Sequence, residues 1–306
     1  MRRTATVAGL LAAGAASAGG NAQVTPTFGS GVEAVYVDAF VTREGESLPD
    51  LTAQEFELLD NGVRQEVSIV SLGEVPLRAV LVFDTSASVS GKKLKHLRAA
   101  GRTLLTSLRG EDEAWLLTFS HRLQLRKAPT SDPRSLAQLL DVLVPSGGTS
   151  LFDALFAALN LLERGASRPA IVVFTDGEDR LSWLGEAELV DLAAESSALI
   201  YSVAVGEESR LSVGPGAPRQ FATPQREKPG RNELLRELAS VTGGRVWELD
   251  SSEGLEEAFL EIFDELQTRY LLRYAPDGVD EPGWHELEVR VKSRGAKVRA
   301  RRGYYR

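Results

Sequence analysis

Apolar and polar residues follow two different periods along this chain, and the period changes twice. From Phe28 to Gly73 the signals are those of strands. Val35-Tyr36-Val37-Asp38-Ala39-Phe40-Val41 alternates as a half-buried strand does, and Phe56-Glu57-Leu58-Leu59 leads into Asp60-Asn61-Gly62, a tight-turn signal from which Gln65 to Ser71 returns. After Pro76 continuous apolar runs take over: Ala79 to Phe83, Ala114 to Phe119, Pro169 to Thr175 and Leu199 to Val205. Runs of that kind read as strands buried on both faces, and Leu123 to Lys127 and Arg245 to Leu249 read as further strands beside them. Helical periodicity fills the intervals. Gly91 to Leu108 puts Leu94, Leu97, Leu104, Leu105 and Leu108 on one face, and further helices are expected from Pro133 to about Leu143, Leu151 to Glu163, Glu186 to Ser197, Asn232 to Val241 and Leu255 to Leu266. From Thr268 onward strands return, at Tyr270 to Tyr274, His285 to Val291 and Lys297 to Tyr305.

Alternation of strand and helix predicts an α/β fold, a doubly wound and mostly parallel sheet with helices on both faces. Strand-only segments at both ends predict a β-rich module built from residues 28–75 and 268–306, with an α/β domain over residues 77–267 inserted into it. Two separate small sheets packed on that domain are the competing arrangement, disfavoured because isolated two-stranded hairpins are marginal. Residues 207–231 form a Pro- and Gly-rich stretch without periodicity, read either as a flap over a site or as disorder.

Composition changes this picture at the N-terminus. Arg2 and Arg3, an apolar Ala-rich segment and Ala16-Ser17-Ala18 follow the order of a secretory signal, so residues 1–22 are expected to be removed and the chain to be periplasmic or extracellular. With no cysteine among the 306 residues, thiolate chemistry and Cys-based metal sites are excluded. A net charge of −8 argues against a nucleic-acid footprint, and no later stretch is apolar enough for a membrane anchor.

Candidate chemistry lies where the strands end. Asp84-Thr85-Ser86-Ala87-Ser88 follows the first buried run, and one carboxylate with two hydroxyls at alternate positions offers hard oxygens from a single turn. Hard oxygens suit Mg2+ or Ca2+ rather than zinc. Thr149, in Gly147-Gly148-Thr149-Ser150, and Asp176, in Thr175-Asp176-Gly177, stand on neighbouring predicted rims and complete a five-residue divalent-cation site. Each stretch alone has a plainer reading, a helix N-cap or a turn. Glu178 and Asp179 are expected as first-turn acids of the next helix, with enrichment of the rim's negative field as the alternative, and Trp183 as either a rim contact or a buried residue. His96, His121 and His285 lie in different elements without ligand spacing. Gly214-Pro215-Gly216 lacks the strand-to-helix context of a dinucleotide fingerprint.

In these positions the sequence resembles the von Willebrand factor type A (VWA) family, whose metal-ion-dependent adhesion site (MIDAS) reads D-x-S-x-S, then T, then D. The resemblance spans Leu77 to Gln267. It implies that Ser86, Ser88 and Thr149 contact the metal, that Asp84 and Asp176 ligate it directly or through water, and that Mg2+, with Ca2+ or Mn2+ as alternatives, binds an acidic residue of a protein partner. Ala87 and Val89 depart from the Gly and Met common in the family. The flanks, Leu51-Thr52-Ala53-Gln54-Glu55-Phe56 and Arg299 to Tyr305, resemble exported bacterial VWA-related proteins of the acidobacterial type. The function expected is adhesion-type protein binding. An envelope scaffold with a structural cation, binding mainly through its β module, is the alternative; a metal-dependent hydrolase is a third, weakened because Ser86 stands where a phosphatase needs its second acid.

Overall fold

The computed structural model describes residues 34–70, 75–162, 168–177, 179–206 and 231–306. The signal-like segment, Gly214-Pro215-Gly216, Glu178 and all but the last residue of the 207–231 stretch lie outside the described residues.

Among the first strands the two longest, over Val35–Arg43 and Phe56–Asp60, alternate inward and outward as their period requires. In chain order the first strands are β1 (Val35–Arg43), the short β2 (Glu46–Ser47), β3 (Phe56–Asp60), β4 (Val63–Gln65) and β5 (Ser68–Val70). The apolar runs and helical stretches then appear in turn: β6 (Leu77–Asp84), α1 (Lys92–Ser107), β7 (Glu113–Phe119), β8 (Leu123–Thr130), α2 (Pro133–Asp141), α3 (Leu151–Leu162) and β9 (Arg168–Thr175). They continue with α4 (Glu186–Glu195), β10 (Leu199–Val205), α5 (Arg231–Thr242), β11 (Arg245–Leu249) and α6 (Leu255–Thr268). The chain closes with β12 (Tyr270–Tyr274), β13 (Trp284–Val291), β14 (Ala296–Ala300) and β15 (Gly303–Tyr305).

The central sheet has the order β11-β10-β9-β6-β7-β8, parallel except for β8, which runs antiparallel to β7. Period 2 explains why its strands look apolar throughout. Leu81 and Phe83 of β6 enter the core under α1, α2 and α6, whereas Val80 and Val82 enter the core under α3, α4 and α5. Strand order reverses between β6 and β9, the switch point outside which doubly wound sheets place their ligands. Asp84 ends β6 and Asp176 directly follows β9.

The remaining strands form two antiparallel sheets, β14-β1-β12-β5, with β2 beside β1, and β15-β13-β3-β4. Val37, Ala39, Val41 and Leu272 from the first sheet pack with Phe56, Leu58, Leu287 and Tyr304 from the second. Two expected strands prove to be split. Gln65 to Ser71 divides between β4 and β5, and Lys297 to Tyr305 between β14 and β15, one half in each sheet. A chain passing between sheets packed about 10 Å apart must leave one ladder before joining the other. Smaller differences lie at element ends: α2 stops at Asp141 rather than near Leu143, and β8 extends to Thr130 through two irregularities in its pairing with β7.

Candidate metal centre

The loop after β6 is held from outside and leaves its oxygens facing inward. Thr85 belongs to the support, its amide donating to the Phe119 carbonyl at 2.7 Å and its hydroxyl to the same oxygen at 3.0 Å. The Ala87 amide donates to the Gly147 carbonyl at 2.9 Å, which ties this loop to the one carrying Thr149. Asp84 is fully buried; its Oδ1 accepts the Ser86 amide at 2.8 Å and its Oδ2 accepts the Thr175 hydroxyl at 2.9 Å. Ser86 Oγ lies 3.0 Å from Ser88 Oγ, and Ser88 Oγ donates to Asp176 Oδ1 at 2.7 Å. Thr149 completes the cluster across Gly177, where an added Cβ would lie 3.2 Å from Thr149 Oγ1 and 4.0 Å from Asp84 Oδ2. The structure therefore brings Asp84, Ser86, Ser88, Thr149 and Asp176 into one cup.

Burial pushes the Asp84 carboxyl up to about 6, against hydrogen bonds from Ser86 and Thr175 that hold it down, while the charge of Asp176 adds to the rise. Two buried carboxylates at such close range need positive charge. Lys93, in the first turn of α1, supplies part of it with its ammonium 2.5 Å from Asp176 Oδ2. Among the described residues no group of three or more His, Cys, Asp or Glu side chains is placed to hold a metal. The donors here are two carboxylates and three hydroxyls, an all-oxygen set that fits a hard divalent cation.

Sequence reasoning missed Lys93 and His121. Gly147 adopts φ +74°, and a Cβ there would fall 1.9 Å from His121 Nδ1, so the imidazole lies directly over the loop that carries Thr149. The glycine pair was the available signal, since a close approach of backbone to side chain is what glycine permits. Asp179 does not serve α4, as expected, but the N-terminus of α3: its Oδ2 accepts the Phe152 amide at 3.0 Å and the Ser182 hydroxyl at 2.6 Å. The acids in the first turn of α4 are Glu186 and Glu188. Trp183 is 98% exposed. His96 bonds Ser252, and His285 is buried against Asp60, both away from the cup.

Residues 79–178 match the family model of the von Willebrand factor type A domain. The chain carries a VWA domain. Relatives include inter-alpha-trypsin inhibitor heavy chain H4 of Bos taurus, 25% identical over 227 residues, a stretch covering 69% of this chain and 23% of that protein. Heavy chain H2 of Sus scrofa is 28% identical over 132 residues, 39% of this chain and 14% of that protein. The chain thus spans about a quarter or less of the length of these curated relatives. Among solved structures, a von Willebrand factor type A protein from Catenulispora acidiphila aligns with TM-score 0.51 and 12% identity over 84% of this chain and 73% of that one. Proximal thread matrix protein 1 from the mussel byssus, whose MIDAS motif is zinc-occupied, aligns with TM-score 0.52 and 15% identity over 67% of this chain and 49% of that one. At these identities the likeness to the VWA structures is one of fold.

Proposed function

We propose that the chain is an exported, non-catalytic binding protein whose cup holds Mg2+ and through it an acidic group of a partner protein. The observation that carries this reading is the composition of the cup: three hydroxyls from Ser86, Ser88 and Thr149 beside the carboxylates of Asp84 and Asp176, at the switch point of the sheet. The three hydroxyls are neutral, and a carboxylate that acts through water neutralises less of the ion's charge than one bound directly, which favours an additional anionic ligand from outside. Mg2+ also dehydrates reluctantly and keeps water positions that a partner carboxylate can take. The zinc found in the MIDAS motif of the mussel protein supports a divalent ion in a cup of this kind. The N-terminal order of arginine pair, apolar segment and small-residue cleavage pattern supports export, and N-terminal sequencing of the protein recovered from the periplasm or medium tests it; a retained Met1 on exported protein would rule out the assigned cleavage.

The decisive experiment joins calorimetric Mg2+ titration to a pull-down from envelope extract with and without EDTA, on wild type and Asp84→Ala. Loss of both Mg2+ binding and captured protein in the variant is expected. Captured protein that survives EDTA and the substitution, while thermal stability drops, would assign the cation a structural role and defeat the adhesion reading. Turnover of a phosphoester or peptide substrate that disappears in Asp84→Ala would defeat the non-catalytic one.

A further inference from the structure

The wall beside the cup differs in charge from the rest of the chain. His121, Arg122, Gln124 and Arg126 line, with Thr85 and Ser146, a cavity of about 250 Å3. It is continuous with the cation loop, because Thr85 belongs to both and the Ser146 amide donates to the Thr85 carbonyl at 2.8 Å. No acidic residue lines it, in a chain of net charge −8. Arg126 is set in place by its Nε, which donates to Thr118 Oγ1 at 2.9 Å. Arg122 is exposed, and its guanidinium has no hydrogen-bond or ion-pair partner among the described residues.

Apolar side chains stand around this charge. Val142 and Val144 of the cavity lip are 64% and 72% exposed. Across the cup, Leu181 packs over Gly148 and Trp183 stands almost free of the surface. The rim is built rigidly enough to present them: the Leu181 amide donates to the Thr149 carbonyl at 3.1 Å, and the Trp183 amide to Asp153 Oδ1 at 3.1 Å. Exposed valines beside unpartnered arginine, with an exposed tryptophan on the same rim, have the make-up of a protein-binding surface, in which Trp and Arg dominate the energetics.

We propose that this cavity is a second ligand subsite that takes a second carboxylate of the partner segment whose first carboxylate meets the cation. The proposal rests on the ligand-binding reading of the cup. Arg122 and Arg126 supply charge-assisted donors to the second acid, apolar residues flanking it lie on Val142 and Val144, and an apolar residue on the far side of the first acid lies on Trp183. The partner is thus a peptide segment with two acidic residues at a fixed separation and aliphatic neighbours. A sulfated polysaccharide would match the arginines but leave the valines and the tryptophan without apolar partners.

The test is selection of a random-peptide phage library on the full chain in Mg2+ with elution by EDTA, followed by affinity measurement on synthetic peptides. Enriched peptides should carry two acidic residues at a constant spacing, and R122E should weaken them by about tenfold or more. A peptide with Lys in place of the second acid should bind R122E better than it binds wild type. Peptides with one acidic residue, or two-acid peptides indifferent to R122E, would overturn the subsite and leave the cation reading standing. Absence of any EDTA-eluted binder from a chain that takes up Mg2+ by calorimetry would overturn both. Binding of heparin fragments that needs Arg122 but not Mg2+ would assign the cavity to a glycan and overturn the peptide.

Discussion

Lys93 places one positive charge where the proposed cation would bring two. Its ammonium sits on Asp176 Oδ2 at 2.5 Å, with the Asp176 side chain fully buried. Lys93→Met should therefore act in opposite directions, lowering the melting temperature in EDTA by removing the ion pair while tightening Mg2+ about tenfold by removing a like charge. Differential scanning calorimetry and isothermal titration read the two effects separately; equal or weaker Mg2+ binding would show that the ammonium assists the ion. Asp84 leads to a pH dependence. Its folded value of about 6 stands above the ordinary 3.8, so the native state holds the proton more tightly than the unfolded chain does. Without a cation, this group's stabilisation is complete below the unfolded value and is lost as pH rises through about 6, a difference of about 3 kcal/mol. Stabilisation by Mg2+ should run the other way and grow over the same window, because the ion binds the carboxylate form. Urea titrations with EDTA or Mg2+ across that range measure both slopes, and Asp84→Asn should flatten them. The five cup residues were legible because their types and order are themselves the signal. Lys93 was not, since one lysine among Lys92, Lys93 and Lys95 has nothing in its spacing to distinguish it.

Elements were legible where one period ran long. The buried strands of the central sheet and the six helices α1 to α6 appear near their expected places, because an apolar stripe of 3.6-residue period or a run buried on both sides has few other readings. The split strands were not, because alternation continues through the crossing and either sheet accepts it. Gly303 marks the second crossing: a Cβ there would meet the His285 carbonyl oxygen at 2.3 Å, so β15 approaches β13 only with glycine at this point. Asp179 shows how a residue assigned to one element can serve another. Reading forward, an acid after β9 belongs to the next helix; in space the rim folds back and it caps α3 through the Phe152 amide. Asp179→Ala should cost about 1 kcal/mol in urea denaturation, the usual worth of a cap, and speed hydrogen exchange at Phe152. An effect confined to α4 amides would show that the cap is not the source.

At the scale of the molecule, the described residues cluster as one unit, and a largely buried ionic network joins its α/β and β parts. The Arg269 guanidinium donates to Glu265 Oε1 at 2.8 Å and Tyr201 Oη at 3.1 Å on the α/β side, and to the Asp38 carbonyl of β1 at 3.0 Å on the other. Arg299 of β14 reaches Glu265 Oε2 at 2.5 Å, and Arg168 of β9 reaches Asp38 Oδ1 at 3.1 Å. None of this was legible, since period 2 tells which face of a strand is apolar and not which strand lies alongside, and charges read as solvated until their neighbours are known. Glu265 stands between two arginines, so its substitution tests the junction best. Glu265→Gln keeps the shape and one acceptor but leaves the buried Arg269 and the half-buried Arg299 with less counter-charge, a change worth about 3 kcal/mol or more. The loss should appear in equilibrium urea unfolding as one cooperative transition moved to lower denaturant, followed equally by far-UV dichroism and by tryptophan fluorescence. Two separated transitions in the variant would mean that the network supplies most of the coupling between the parts. A loss under about 1 kcal/mol would instead place that coupling in the apolar contacts, because a buried ion pair contributes net stability only when its Coulomb gain exceeds its desolvation.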